Sequence, residues 1–513
     1  MKKAAFLVML ITIISKLVGF AREIALAYVY GASAMSDAYL ISQTIPLVIF
    51  SFISAGITTG FIPIYSKIQQ NDGKLNADRF TSNLSNTLLL LATIIVVFVL
   101  IFTLPVVKLF ASGFSGETLE LAVRFTRITI FGVYFTALLN ILSGYLRVHE
   151  HYLAPALVGF PMNFIIIASL FISTKTNVYI IALGSLLAIA SQVVVLIPFL
   201  RQSQYRYQMV VDLKDKYLRE MFLIALPVII GTSVNEINVL VDRTMASTIA
   251  VGGISALNYA RRLNGFVQGL VVTSLTSVMF PMISKMAAAA NTKGLKRTVN
   301  EAIASMSLLI VPATVGAMIF AEEIVTLLFG RGAFTAEAIT MTGNALFYYS
   351  FGMIAFGLRN VLARTFYALQ DSRTPMINAT VGVVLNIALN IILSRYLGIG
   401  GLALATSISA IVVVVLLFIT LRRKIGGLGL TELIKSFIKI GFASVIMGVI
   451  AWGEFNFLRQ SLGQNLALII AICIGVVVYG ILVYFMRIPE VDQTIAAVKR
   501  KLRARYDARS RSE

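Results

Sequence analysis

The octapeptide FIPIYSKI, Phe61 to Ile68, returns later in the chain as MFPMISKM, Met279 to Met286, with proline, serine and lysine in register. Two further pairs keep the same order and nearly the same spacing. KLFASGF (Lys108–Phe114) is echoed by LLFGRGAF (Leu327–Phe334), and YLRVHEHYLAP (Tyr145–Pro155) by FYALQDSRTP (Phe366–Pro375). Three ordered matches about 220 residues apart mark an internal duplication.

Hydropathy says what each copy contains. Of the 513 residues, 58% are hydrophobic and 13% charged, roughly half the charged share of an average soluble domain. Apolar runs of about 20 residues recur from end to end, which predicts an all-α polytopic membrane protein. The short alternating segments of a transmembrane β-barrel are absent. Fourteen spans are expected, near 4–29, 37–66, 83–110, 120–146, 153–174, 177–200, 219–248, 254–286, 298–321, 338–368, 375–396, 401–421, 433–457 and 463–486. Six fall in each copy, so the copies are expected to be six-helix lobes, 1–217 and 218–428, in the same membrane orientation. Helices 13 and 14 (429–487) and a basic tail (488–513) follow. Parallel repeats of this kind place a substrate site between the halves.

The net charge of +20 follows this topology. Lys67, Lys74, Arg79, Arg147, Arg201, Arg206, Lys285, Arg297, Arg373 and Arg422 fall in alternate loops with Lys2 and Lys3, and the tail is basic. By the positive-inside rule both termini are cytoplasmic, and nucleic acid is not needed as a partner. Lys2, Lys3 and Ala32–Ala34 imitate a secretory signal, but Lys16 and Arg22 interrupt its apolar region, which is also too long. The single cysteine, Cys473, forms no internal disulfide.

Charge inside the spans is costly and therefore informative. SKLVGFAREI (Ser15–Ile24) puts Lys16, Arg22 and Glu23 in span 1, and Asp37 opens span 2. Span 7 carries Asn235, Glu236, Asn238, Asp242 and Arg243; span 8 carries Arg261 and Arg262; span 10 carries Arg359 and Arg364. Each charge could pair with a neighbour or snorkel to an interface. Cations in corresponding helices of both copies favour a cavity that receives an anion, for which the planar arginine fork is suited. On span 7, Asn235, Asn238 and Asp242 share a face. With Asn386 and Asn390 on span 11 and Thr406 on span 12 they offer oxygen ligands for sodium, or hydrogen bonds that join helices.

No phosphate-binding loop of the G-x-x-x-x-G-K-[ST] type occurs. His149 and His151, the only histidines, diverge at i, i+2 and form no metal pair. Transport is expected, not catalysis.

SKLVGFAREIALAYVYGAS, SDAY, FIPIYSK and FYALQDSRTPM together resemble the MurJ (MviN) family of bacterial lipid II flippases, within the multidrug/oligosaccharidyl-lipid/polysaccharide exporter superfamily. The resemblance implies fourteen helices around a cationic cavity. It also implies transfer of lipid II, an undecaprenyl-diphosphate-linked disaccharide-pentapeptide, from the cytoplasmic to the outer leaflet of the inner membrane by alternating access, for cell-wall synthesis. By motif, Arg22, Glu23, Asp37 and Arg262 match family cavity positions. Lys16 stands where many members have arginine, Arg261 where some have an acid, and the apolar stretch around Phe50 where many have a further arginine. The substrate set implied is Lys16, Arg22, Glu23, Asp37, Arg261 and Arg262. A sodium ion at Asp242, Asn386, Asn390 and Thr406 is the sole cofactor implied. The partners expected are lipid II and membrane lipids, with the chain a monomer and a lipid-tail groove along helices 13 and 14. Alternatives are a flippase for another undecaprenyl-diphosphate-linked glycan and a multidrug or cation antiporter of the same superfamily.

Overall fold

The computed structural model describes residues 2–488 and 491, so the tail expected over 488–513 lies almost wholly outside the described residues. The described chain is helical throughout, with no strand among the described residues. It divides into two units, residues 1–256 with 329–338, and residues 257–328 with 339–513.

The first unit contains α1 (Lys2–Tyr30), α2 (Ala34–Asn71), α3 (Gly73–Ile101), α4 (Thr103–Phe110), α5 (Gly116–Thr129), α6 (Gly132–Val148), α7 (Leu153–Leu157), α8 (Gly159–Ser173), α9 (Tyr179–Gln202) and α10 (Lys216–Ile249). It also holds the first residues of α11 (Gly253–Ala288). The opening octapeptide owes its pattern to this unit's core. Phe61, Ile64, Tyr65 and Ile68 follow i, i+3, i+4, i+7 along α2 and are buried together against α3, α6 and α9. Lys67, off that stripe, is exposed and donates to both carboxylate oxygens of Glu220 on α10 at 2.8 and 3.0 Å. Small residues bring the same two helices close, Gly56 facing Ala225.

The second unit contains the rest of α11, with α12 (Thr292–Ile319), most of α13 (Ala321–Phe329), α14 (Ala336–Phe351), α15 (Met353–Ala368), α16 (Arg373–Ile425), α17 (Leu430–Leu462) and α18 (Gln464–Phe485). Met279, Ile283 and Met286, the repeat partners of Phe61, Tyr65 and Ile68, again enter one apolar core.

The duplication reaches the backbone. α3 and α12 end at phenylalanines with nearly the same dihedrals, Phe102 (φ −105, ψ 30) and Phe320 (φ −110, ψ 28), each followed by a short helix. Positive φ recurs about 220 residues apart, at Gly31 and Gly252 and at Glu150 and Gln370. The pairs α5–α6 and α14–α15 bend by the same 43°.

The loops after α4 and α13 explain why 329–338 belongs to the first unit. Gly113 N donates to Ser247 Oγ at the end of α10 (3.0 Å), and Ala333 N to Tyr28 O near the end of α1 (2.9 Å). These are equivalent contacts, each joining one copy's loop to the other copy's first helix.

Nine described helices are long and apolar enough to cross a membrane, or twelve if each bent pair is one span; the expected count of fourteen is not reached this way. Two differences have local causes. The expected span 83–110 is broken at Phe102, where Pro105 cannot donate to the Ile101 carbonyl one turn back, and the same break recurs at Phe320 without a proline. Expected spans 11 and 12 are joined as the 53-residue α16, yet Gly398 inside it is non-helical (φ 54, ψ −131). The segments on either side of Gly398 are each long enough to cross about 30 Å of hydrocarbon. α10 bends by 57° between Leu226 and Gly231, across Pro227, whose side chain lies outside the described ones.

Candidate substrate site

In α1 the charged stretch divides by face. Gly159 of α8 approaches Ser15, and Gly19 approaches Asn163 of α8, so the Ser15–Gly19 edge packs on that helix. Glu23 lies a further turn along this edge and is buried, as are Leu26 and Ala27. Lys16, one position off the edge, is exposed. Arg22 Nη2 donates to Glu23 Oε1 at 2.7 Å, with the arginine side chain 21% exposed and the carboxylate 6%. The buried carboxylate thus fixes one arm of the fork, and the arginine side chain as a whole stays partly exposed. Lys16 lies about 9 Å from Arg22 along the helix axis, from a rise of about 1.5 Å per residue.

Asp37 sits elsewhere in the first unit's chemistry. Its carboxylate is buried and accepts the Gly252 N–H (2.8 Å), the Ser255 N–H (2.7 Å) and the Ser255 hydroxyl (2.5 Å). These backbone donors belong to the first turn of α11, where intrahelical acceptors are missing and the helix dipole favours negative charge. Ser255 is the residue that sequence reasoning missed. The signal for it was the Gly252–Gly253 pair just ahead, which marks a helix start. Arg243 Nη1 donates to Ile254 O (3.3 Å) and lies within electrostatic reach of Asp37.

Also in the first unit, Asn238 Nδ2 donates to Asp242 Oδ2 at 3.4 Å. In the second unit, Asn390 Nδ2 donates to Asn386 Oδ1 (3.0 Å), and Asn386 Nδ2 to Thr406 Oγ1 (3.2 Å). This chain joins the two segments of α16 across the Gly398 break. Two oxygens that a sodium ion would need, Asn386 Oδ1 and Thr406 Oγ1, each accept one amide N–H here. Among the described residues no group of three or more histidines, cysteines or carboxylates could hold a metal ion.

Arg261 and Arg262 are exposed on α11. Arg359 on α15 lies within electrostatic reach of Arg261, and its guanidinium sits 5.9 Å from the Phe356 ring centroid. Arg364 lies 5.4 Å from that of Phe280. Aromatic faces thus help hold both span-10 arginines. Phe50, where a further cation was considered, is buried in the apolar core.

Each unit therefore carries its own cationic group, Lys16 and Arg22 on α1 in one, and Arg261 and Arg262 on α11 with Arg359 on α15 in the other. A relative named "Probable lipid II flippase MurJ" from Thermotoga maritima is 28% identical over 94% of this chain and 96% of its own length. A protein of the same name from Buchnera aphidicola subsp. Baizongia pistaciae is 27% identical, with 88% and 89% covered. A solved structure of lipid II flippase MurJ, in an inward closed conformation, superposes with a TM-score of 0.81 at 27% identity, covering 94% of this chain and 99% of the other. An inward-facing multidrug transporter of the MATE family, in the MOP superfamily, shares the fold at TM-score 0.67 and 18% identity, over 81% and 95%. The family model described as lipid II flippase MurJ matches residues 26–488, and the chain, a multi-pass membrane protein, belongs to that family of flippases.

Proposed function

We propose that this protein moves lipid II, the lipid-linked peptidoglycan precursor, from the cytoplasmic to the outer leaflet of a bacterial inner membrane by alternating access. Substrate bonds are neither made nor broken. The observation that carries this reading is the Arg22–Glu23 pair. A buried carboxylate holds a part-exposed guanidinium inside a membrane-length helix, leaving donors for a diphosphate. A diphosphate accepts such a fork bidentately, and Lys16, Arg261 and Arg262 add positive charge for the same ligand class. A cationic drug would be repelled by these groups, which weighs against antiport of such compounds. Both termini are placed in the cytoplasm by the loop charges, and the chain acts as a monomer.

The test is rescue of a strain depleted of its lipid II flippase, scored with accumulation of lipid II. The wild type is expected to restore growth and clear the precursor. An Arg22→Ala/Arg262→Ala double variant should insert normally and fail. Full rescue by that variant would overturn the site. Failure of the wild type in a host where it inserts would favour another undecaprenyl-diphosphate-linked glycan as the substrate.

A further inference from the structure

The segment joining α9 to α10 has an unusual construction. Residues 207–213 run along α3 outside any helix, tethered to it by side chains that reach their backbone. Asn83 Oδ1 accepts the Asp212 N–H (2.7 Å), and Asn83 Nδ2 donates to Asp212 O (2.9 Å). Asn86 Nδ2 donates to Val210 O (2.9 Å), and Ser82 Oγ accepts the Gln208 N–H (3.1 Å). The backbone at positions 208, 210 and 212 is held toward α3, and the Val210 N–H donates to Gln208 O (3.0 Å), turning the chain tightly at Met209. Met209, Val211 and Leu213 project from this stretch, 94%, 56% and 63% exposed, while the Tyr207 hydroxyl donates back to Asn86 Oδ1 at 2.8 Å. Three outward apolar side chains on a polar-tethered segment need a partner.

Position and charge identify it. α3 is a membrane-length helix, and its exposed apolar band opens at Leu90 and Leu91 and continues through Ile94 and Val97. Leu90 lies one turn beyond Asn86, so the ribbon runs at the edge of that band. The cations around it, Arg201, Arg206, Lys214, Lys216 and Arg219, are all exposed. Of the neighbouring acids, Asp212 Oδ1 accepts the Lys214 N–H, Asp215 Oδ1 caps α10 through the N–H groups of Tyr217 and Leu218, and Glu220 is paired with Lys67. Apolar side chains beside exposed cations match the boundary between headgroups and acyl chains of an anionic leaflet.

We propose that residues 206–214 are an interfacial anchor. Met209, Val211 and Leu213 enter the headgroup boundary, while Arg206 and Lys214 pair with anionic headgroups. The anchor is independent of the transport reading, since it uses none of the residues assigned to the substrate.

Trp452 is the single tryptophan, so a Trp452→Phe background gives a silent chain. Met209→Trp would be placed in it, and separately Leu213→Trp, a second reporter should the first fail to fold. The full chain would be reconstituted in vesicles of phosphatidylcholine with and without phosphatidylglycerol. The expected result is a blue-shifted emission, shielded from aqueous acrylamide and quenched more strongly by lipids brominated near the headgroup than by those brominated near the chain end. Phosphatidylglycerol should strengthen this quenching, and Arg206→Gln/Lys214→Gln should remove that gain. Emission quenched by acrylamide and untouched by brominated lipid would overturn the anchor, and would assign the stripe to a protein partner. Quenching indifferent to phosphatidylglycerol would overturn its electrostatic half.

Discussion

Asp37 and Ser255 are joined twice: one carboxylate oxygen accepts the Ser255 backbone N–H at 2.7 Å and its hydroxyl at 2.5 Å. The carboxylate expected among the substrate ligands is engaged with the start of the next copy's second helix. Asp37→Ala leaves two buried backbone donors without it, at about 1–3 kcal/mol each, whereas Asp37→Asn keeps one acceptor. Thermal unfolding in detergent should therefore rank wild type above Asp37→Asn and Asp37→Ala lowest. Equal midpoints for the three would refute the assignment.

Arg22 and Glu23 allow stability and transport to be separated. Removing only Arg22 takes the cationic partner from a buried carboxylate, at up to about 3–5 kcal/mol. Arg22→Ala should therefore unfold earlier than Arg22→Ala/Glu23→Ala, while neither moves lipid II. Arg22→Lys should keep most of the stability and lose part of the transport, because lysine lacks the fork. A double variant that both folds and transports would remove Arg22 from the mechanism.

Two glycines with positive φ should differ by their surroundings. At Gly332, φ is +65 and a Cβ would lie 2.2 Å from Tyr28 O. At Gly73, φ is +83 but nothing lies within 4 Å. Gly73→Ala should cost about 1–2 kcal/mol, the price of the left-handed backbone alone, and Gly332→Ala clearly more. Unfolding midpoints of the pair check this, and the same midpoint for both would contradict the packing of that loop on α1.

Asp371, in the turn before α16, is held at about 2, below its ordinary 3.8. Lys424, which donates to Oδ2 at 2.6 Å, is the chief cause, followed by the Thr374 N–H. A carboxyl lowered on folding contributes stability above its unfolded value, lost as pH falls through the folded one. Its contribution should be complete above about pH 4 and fade toward about pH 2. Asp371→Asn should show a shallower loss of unfolding midpoint across that interval, and an unchanged slope would count against the pairing.

Asn390 tests the sodium reading. It is fully buried and donates to Asn386 Oδ1; Asn390→Asp exchanges that donor for an acceptor and adds a charge that invites a cation. The variant's unfolding midpoint should fall in sodium-free buffer and recover when sodium is added, with a smaller response in the wild type. Indifference of the variant to sodium would show that this set cannot be turned into an ion site.

Much of the architecture is written locally. Membrane-length apolar runs, the duplicated octapeptide and the intramembrane cations are each set by a short stretch of chain, because burial periodicity and the cost of charge in hydrocarbon act over one or two helical turns. The repeat of Phe61–Ile68 at Met279–Met286 is legible in the sequence, as is Arg22 as a charge inside an apolar run. Tertiary structure decided what those residues touch. Glu23 is buried because the Ser15–Gly19 edge packs on α8, Asp37 meets Ser255 more than two hundred residues away, and Asn386 is joined to Thr406 across the Gly398 break. Hydrogen-bond partners distant in sequence leave no periodic trace, so spacing alone could offer these polar residues to a ligand as readily as to one another.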